Sequence, residues 1–217
     1  LGIQTFSEII EENYYYVDKT ADIYRMTSTY KYVFLSRPRR FGKSLLVSTL
    51  ASYFRGEKDL FKGLAMDRFE KQWKKHPVIH LSLASVKEIE PKRIEESLKN
   101  RLRDIENQFG LEQKSEGLGD RLNDIIQQTT EQYGEKAVVV LDEYDAPLLN
   151  VLHNEERLKE VRQLMRTLYS PLKDCDPYLR FVFITGISKF SQLSIFSEIN
   201  NLTVISMDDD YSTICGF

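Results

Sequence analysis

The 217 residues carry 30 basic and 33 acidic side chains, a net charge of -3 and 41% hydrophobic content. That length and apolar content suffice for a substantial core in one domain, and the balanced charge gives no bulk electrostatic attraction for nucleic acid or anionic membrane. Cys175 and Cys215 form no C-x-x-C pair, and His76, His80 and His153 form no metal-ligand cluster. No apolar run approaches the roughly eighteen residues needed to span a bilayer, so the expectation is a cytoplasmic location without membrane partners.

In chain order, the first thirty residues precede any parallel-strand pattern. EENYYYVDKT, with three consecutive tyrosines, predicts an extended segment or short edge strand, and a helix is expected from Thr20 to about Thr29. YVFLS (Tyr32 to Ser36) is the first β-rich run, followed by RPRRFGK and then by SLLVSTLASYF, which is apolar at helical spacing. VIHLSLA (Val78 to Ala84) is the second. Ile94, Leu98, Leu102, Ile105 and Phe109 recur at steps of three or four and predict a helix with one apolar stripe. Gly110 to Asp120 (GLEQKSEGLGD) is polar and glycine-bearing, which predicts a loop between two helices. AVVVLD (Ala137 to Asp142) is the most hydrophobic strand candidate, and Leu158, Val161, Leu164, Met165 and Leu168 trace a further helical face. RFVFIT (Arg180 to Thr185) and TVIS (Thr203 to Ser206) complete the set. Nearly continuous apolar runs suit strands covered on both faces, and their alternation with helices predicts an α/β fold: three layers, doubly wound, with a mostly parallel sheet.

The segment FLSRPRRFGKS (Phe34 to Ser44) departs from the phosphate-loop pattern G-x-x-x-x-G-K-[ST] at one place, because Arg37 occupies the first glycine position. The strand before it and the helix after it supply the context that the pattern requires. Gly42 lets the backbone turn so that the following amides face phosphate oxygens at the positive end of the helix. Lys43 is placed to reach the β and γ phosphates, and the Ser44 hydroxyl to ligate Mg²⁺. The expected nucleotide contacts in the loop are therefore Arg39, Arg40, Phe41, Gly42, Lys43, Ser44 and Leu45, although Arg39 and Arg40 equally suit a neighbouring subunit or DNA.

A second half-site is expected at LDEYDAP. Asp142 closes a buried strand and is placed to hold the metal, Glu143 to polarise an attacking water, and Asp145 adds a third carboxylate. Both half-sites fall at the carboxyl ends of parallel strands, where open α/β sheets bind ligands. Thr185 ends the next strand and is the candidate sensor of the γ-phosphate, with Ser188 and Lys189 as further candidates and Gly186 permitting close backbone approach.

VDKT near the start, FLSRPRRFGKSLLVSTLASYF, LDEYDAP and FITGISKFSQLSIFSEINNLTVIS together resemble the AAA-ATPase-like family. Its members are bacterial and archaeal P-loop proteins often fused to a PD-(D/E)XK nuclease-like domain. The resemblance covers essentially the whole chain, and the R-P-R-R-F-G-K-S loop is characteristic of the family, which makes Arg37 a family variant. It implies the additional-strand P-loop NTPase topology, in the order 5-1-4-3-2 for the strands numbered above. It also implies approach of Val17, Asp18 and Lys19 to adenine, residues that equally suit an edge strand with exposed charges. The implied organisation is a single ATPase domain over 1–217, with 1–30 an extension near the adenine site and 31–217 the core. Since the sequence stops at YSTICGF, the helical lid and nuclease-like domain are expected to lie outside it. That domain, DNA through it, and further subunits are the implied partners.

The expectation is thus a domain that binds ATP with Mg²⁺ and hydrolyses it, with Lys43, Glu143 and Thr185 catalytic and Ser44 and Asp142 holding the metal. The rivals are a slow nucleotide switch or scaffold regulating a fused effector, a small-molecule or nucleotide kinase, and a DNA-binding module using RPRR and KNRLR (Lys99 to Arg103). No N-K-x-D-like guanine reader is present, which favours adenine.

Overall fold

The computed structural model describes residues 3–187, 195–197, 199 and 201–215. Helices α1 (Phe6–Glu11) and α2 (Thr20–Thr29) precede β1 (Tyr32–Ser36), which leads through a loop into α3 (Lys43–Phe54). Next come α4 (Ala65–Phe69), β2 (Val78–Ser82) and the two long helices α5 (Pro91–Phe109) and α6 (Leu118–Tyr133). After β3 (Ala137–Asp142) the chain forms α7 (Ala146–Leu149), α8 (Glu155–Tyr169), α9 (Pro171–Asp174), β4 (Leu179–Gly186) and β5 (Leu202–Val204). Among the described residues every strand pairing is parallel, in the order β2-β3-β4-β1-β5. Counted from the opposite edge, that order reads 5-1-4-3-2.

The period of two in each strand divides its side chains between two cores. Val33, Leu35, Val138, Val140, Phe181 and Phe183 face α1, α2 and α3, while Phe34, Val139, Leu141, Val182 and Ile184 face α5, α6 and α8. The sheet is therefore the middle of three layers. One further step of the alternation puts the side chains of Asp142 and Thr185 on the α3 side. The covering helices present the stripes that their spacing predicts: Ile94, Leu98, Leu102 and Ile105 from α5, and Val161, Met165 and Leu168 from α8. Asn154 fixes the start of α8, its side chain accepting the Arg157 amide at 3.0 Å.

Several boundaries differ from the sequence expectation. The Gly110–Asp120 loop is shorter, because α6 already begins at Leu118, which is buried with Leu122 one turn later. Polar neighbours mask that start in the sequence. The tyrosine-rich stretch forms no edge strand and runs irregularly, with Tyr15 exposed and Tyr16 set edge-on to Phe6 at 5.2 Å. Helix α1, whose buried face is only Phe6 and Ile9, is too short to announce a period. β2 stops at Ser82 rather than Ala84, where the Val86 amide closes a turn on the Leu83 carbonyl at 3.0 Å. β4 gains one residue at each end, and β5 is Leu202–Val204 rather than Thr203–Ser206, since Ser206 turns its hydroxyl to the Ser36 amide.

Between α5 and α6 lies a buried ion pair. Arg121 donates to Glu106 through Nε at 2.9 Å and Nη2 at 2.6 Å, with the side chains 1% and 5% exposed. Removing one partner leaves the other charge buried and uncompensated. Glu106→Ala is expected to lower the unfolding free energy by about 3–5 kcal/mol, and Glu106→Leu with Arg121→Met to recover most of it. Chemical denaturation of the three proteins is the check, and a loss below about 1 kcal/mol in the single variant would show the pair to be worth no more than a surface one.

Candidate nucleotide site

Register brings the pieces together. Leu35 and Ser36 of β1 lie beside Thr185 and Gly186 of β4, and Leu141 of β3 lies beside Ile184, so three strands end at one edge of the sheet. Beyond β1 the Arg37 amide adds one more bond to the ladder, donating to the Gly186 carbonyl at 3.2 Å. The loop then turns through two left-handed residues, Arg40 (φ 66°) and Gly42 (φ 77°). Gly42 suits that conformation because it has no Cβ, and it caps α3, whose first amides have no partners within the helix. No acidic side chain lies in that first turn.

Lys43 is buried at 7% exposure, and its Nζ donates to the carbonyls of Arg37 and Pro38, each at 2.8 Å. An ammonium has three donors, so the loop engages two. Burial pushes the Lys43 pKa down, against the upward pull of the Asp142 and Glu143 carboxylates. Arg39, Arg40, Phe41, Gly42 and Ser44 are exposed on the same loop, and Leu45 is half-buried.

On the acidic side, burial pushes the Asp142 carboxyl up to about 6, with the Glu143 charge adding to the shift and Lys43 opposing it. Glu143 sits at φ 50°, a conformation that costs a side-chain-bearing residue energy and needs firm neighbours. They are present. The Tyr144 amide donates to the Thr185 carbonyl at 3.1 Å, and its buried ring packs between Phe34 and Phe196 at centroid distances of 5.6 and 5.3 Å. Asp145 is not an open third carboxylate: it is 1% exposed and accepts the Ile187 amide at 3.1 Å. Gly186 permits the close approach, since a Cβ there would lie 2.6 Å from both the Tyr144 ring and Asp145 Oδ1. Thr185 is fully buried, and its hydroxyl has no hydrogen-bond partner among the described residues. Ser188 and Lys189 lie outside the described residues.

A cavity of about 430 Å³ opens beside the loop, walled by Tyr14, Tyr15, Val17, Lys19, Gly42, Leu45, Ile214 and Cys215 among others. Asp18 does not line it. Its carboxylate accepts from the Thr20 amide at 2.8 Å, the Thr20 hydroxyl at 2.6 Å and the Ala65 amide at 2.8 Å, so it ties α2 to α4 while Val17 and Lys19 face the cavity. The basic KNRLR stretch is engaged along α5: Lys99 pairs with Glu95, Arg101 with Asp104, and Arg103 bonds Asn100. The Arg37 guanidinium donates to the Ser206 carbonyl. Sequence reasoning left its role open, because Arg37 and Ser206 are 169 residues apart and no local pattern links them. Among the described residues no helix is long and apolar enough to cross a membrane, and no group of three or more His, Cys, Asp or Glu could hold a metal ion.

A parallel α/β sheet whose β1 runs through Gly-Lys-Ser into a helix, with an acidic pair closing β3, is the arrangement of the P-loop class. The chain belongs to the predicted AAA-ATPase family, whose sequence model matches residues 1–196. It is 41% identical over 220 residues to an uncharacterized protein in the vnfD 5′ region of Azotobacter chroococcum mcd 1; the match takes in 100% of this chain and 42% of that protein. No solved structure matches.

Asp142 makes stability depend on pH. An unfolded aspartate loses its proton near 3.8, whereas Asp142 in the folded protein keeps it to about 6. Between those values the native state binds more protons, so its stability falls as pH rises. Asp142→Asn is expected to raise the melting temperature at pH 7 by roughly 5 °C, with the gain vanishing below pH 4. Thermal melts of both proteins across that range are the check, and coincident curves at pH 7 would refute it.

Proposed function

We propose that this chain binds ATP together with Mg²⁺ and hydrolyses it on a doubly wound P-loop NTPase scaffold. Lys43 carries the proposal. Its ammonium is held on the loop's own carbonyls, close enough to Asp142 and Glu143 to feel their charge, at the N-terminus of a twelve-residue helix. An ammonium with a third donor, beside unpaired helix amides, complements a phosphate.

The donor set suits Mg²⁺, which takes one or two protein oxygens and completes its shell with water and substrate phosphates rather than a protein cage. Ser44 and Asp142 would supply those oxygens. When bound, Mg²⁺ supplies positive charge to the β and γ phosphate oxygens. Glu143, held at φ 50° beside the anchored Tyr144, accepts the proton of the attacking water. The unpartnered hydroxyl of Thr185, on the α3 side of the sheet, donates to the γ-phosphate. The cavity beside Gly42 and Leu45 takes the base against Val17 and the tyrosines, in a volume within the usual range for small-ligand sites.

Titration with MgATP and MgGTP, alongside phosphate release, tests this. ATP is expected to bind more tightly than GTP, and Lys43→Ala to weaken ATP at least about tenfold. Glu143→Gln is expected to bind as wild type while turnover falls roughly 100-fold. Unchanged affinity in Lys43→Ala would remove the phosphate site, and equal phosphate release in Glu143→Gln would remove the base.

A further inference from the structure

The first glycine of a phosphate loop is often explained by backbone conformation, yet Arg37 is not among the described non-glycine residues with positive φ, so no Cβ penalty arises there. What the arginine adds is a side chain that spans. Its amide donates to the Gly186 carbonyl at 3.2 Å, its carbonyl accepts Lys43 Nζ at 2.8 Å, and its guanidinium donates to the Ser206 carbonyl. Ser206 is itself buried and takes the Ser36 amide on its hydroxyl at 2.8 Å. Eight and nine residues on, Ile214 and Cys215 form a wall of the cavity that also touches Gly42 and Leu45. One residue therefore touches the lysine of the loop at one end and the segment that walls the cavity at the other.

We propose that Arg37 is a positioning residue that couples the phosphate loop to the 205–215 segment, so that a phosphate held by Lys43 and an ordered cavity wall stabilise one another. This rests on the nucleotide site proposed above. Coupling between two sites is reciprocal, so loss of the strut weakens the ligand and loosens the segment together. A glycine at position 37 keeps the amide and carbonyl bonds but loses the guanidinium and gains backbone freedom.

The test compares wild type, Arg37→Gly, Arg37→Lys and Arg37→Met by MgATP titration and by hydrogen exchange over 205–215, with and without MgATP. Arg37→Gly restores the consensus loop, yet it is expected to bind MgATP roughly tenfold more weakly, as loss of one charge-assisted bond implies. Exchange over 205–215 is expected to rise in Arg37→Gly and to lose its protection by MgATP, with Arg37→Lys recovering part of both effects. Should Arg37→Gly not fold, Arg37→Met keeps the stem and carries the same expectation. Wild-type affinity with unchanged exchange in the glycine or methionine variant overturns the proposal. If wild type itself binds no nucleotide, the function proposed above falls, and unchanged exchange in the ligand-free variants would still reject the strut.

Discussion

A buried ammonium bonded to two carbonyls of its own loop is the contact on which the rest of the site depends. Through it Lys43 folds residues 37 to 42 back over the start of α3, and the loop acquires a shape before any ligand arrives. The arrangement has an electrostatic cost, since burial works against the lysine's charge, and the carboxylates at the end of β3 offset it. Asp142 carries a cost in turn, since burial, with the Glu143 charge added, raises its pKa. Cation and anions each offset part of the other's burial cost.

Four locally unfavourable features meet at this sheet edge: a protonation-prone aspartate, a glutamate at φ 50°, an arginine at φ 66° and a buried hydroxyl with no described partner. Such strain persists only where surroundings over-determine it. Here the surroundings are parallel strands buried on both faces and two layers of helices whose apolar stripes leave those strands little freedom. Locally poor choices on an otherwise consistent framework are what a functional site requires, because stability alone would replace them.

Much of this was legible in the chain. Apolar runs identified the five strands and helical spacing the faces of α3, α5 and α8, since fully buried strands and one-sided helices leave strong patterns, while α6 was expected only as the helix after a polar loop. Lys43, Asp142 and Thr185 could be brought to one edge from sequence because each lies at the end of a strand or opens the next helix. What stayed hidden depends on contacts between distant residues. Asp18 reads as a ligand contact until its carboxylate is seen joining Thr20 to Ala65, and Asp145 reads as a third open acid until Ile187 is found on it. The short α1 and the start of α6 escaped for a simpler reason: two or three buried residues amid polar ones make no period.

Tyr144 and Gly186 have a mechanical meaning beyond packing. With the ring flush against a backbone that admits no Cβ, and the Tyr144 amide bonded to the Thr185 carbonyl, the ends of β3 and β4 share one set of atoms at their boundary. A displacement of either strand end is transmitted to the other rather than absorbed. The acidic pair and the threonine thus behave as a fixed jaw, and the Arg37 amide, bonded to the Gly186 carbonyl, ties the start of the opposing loop to it.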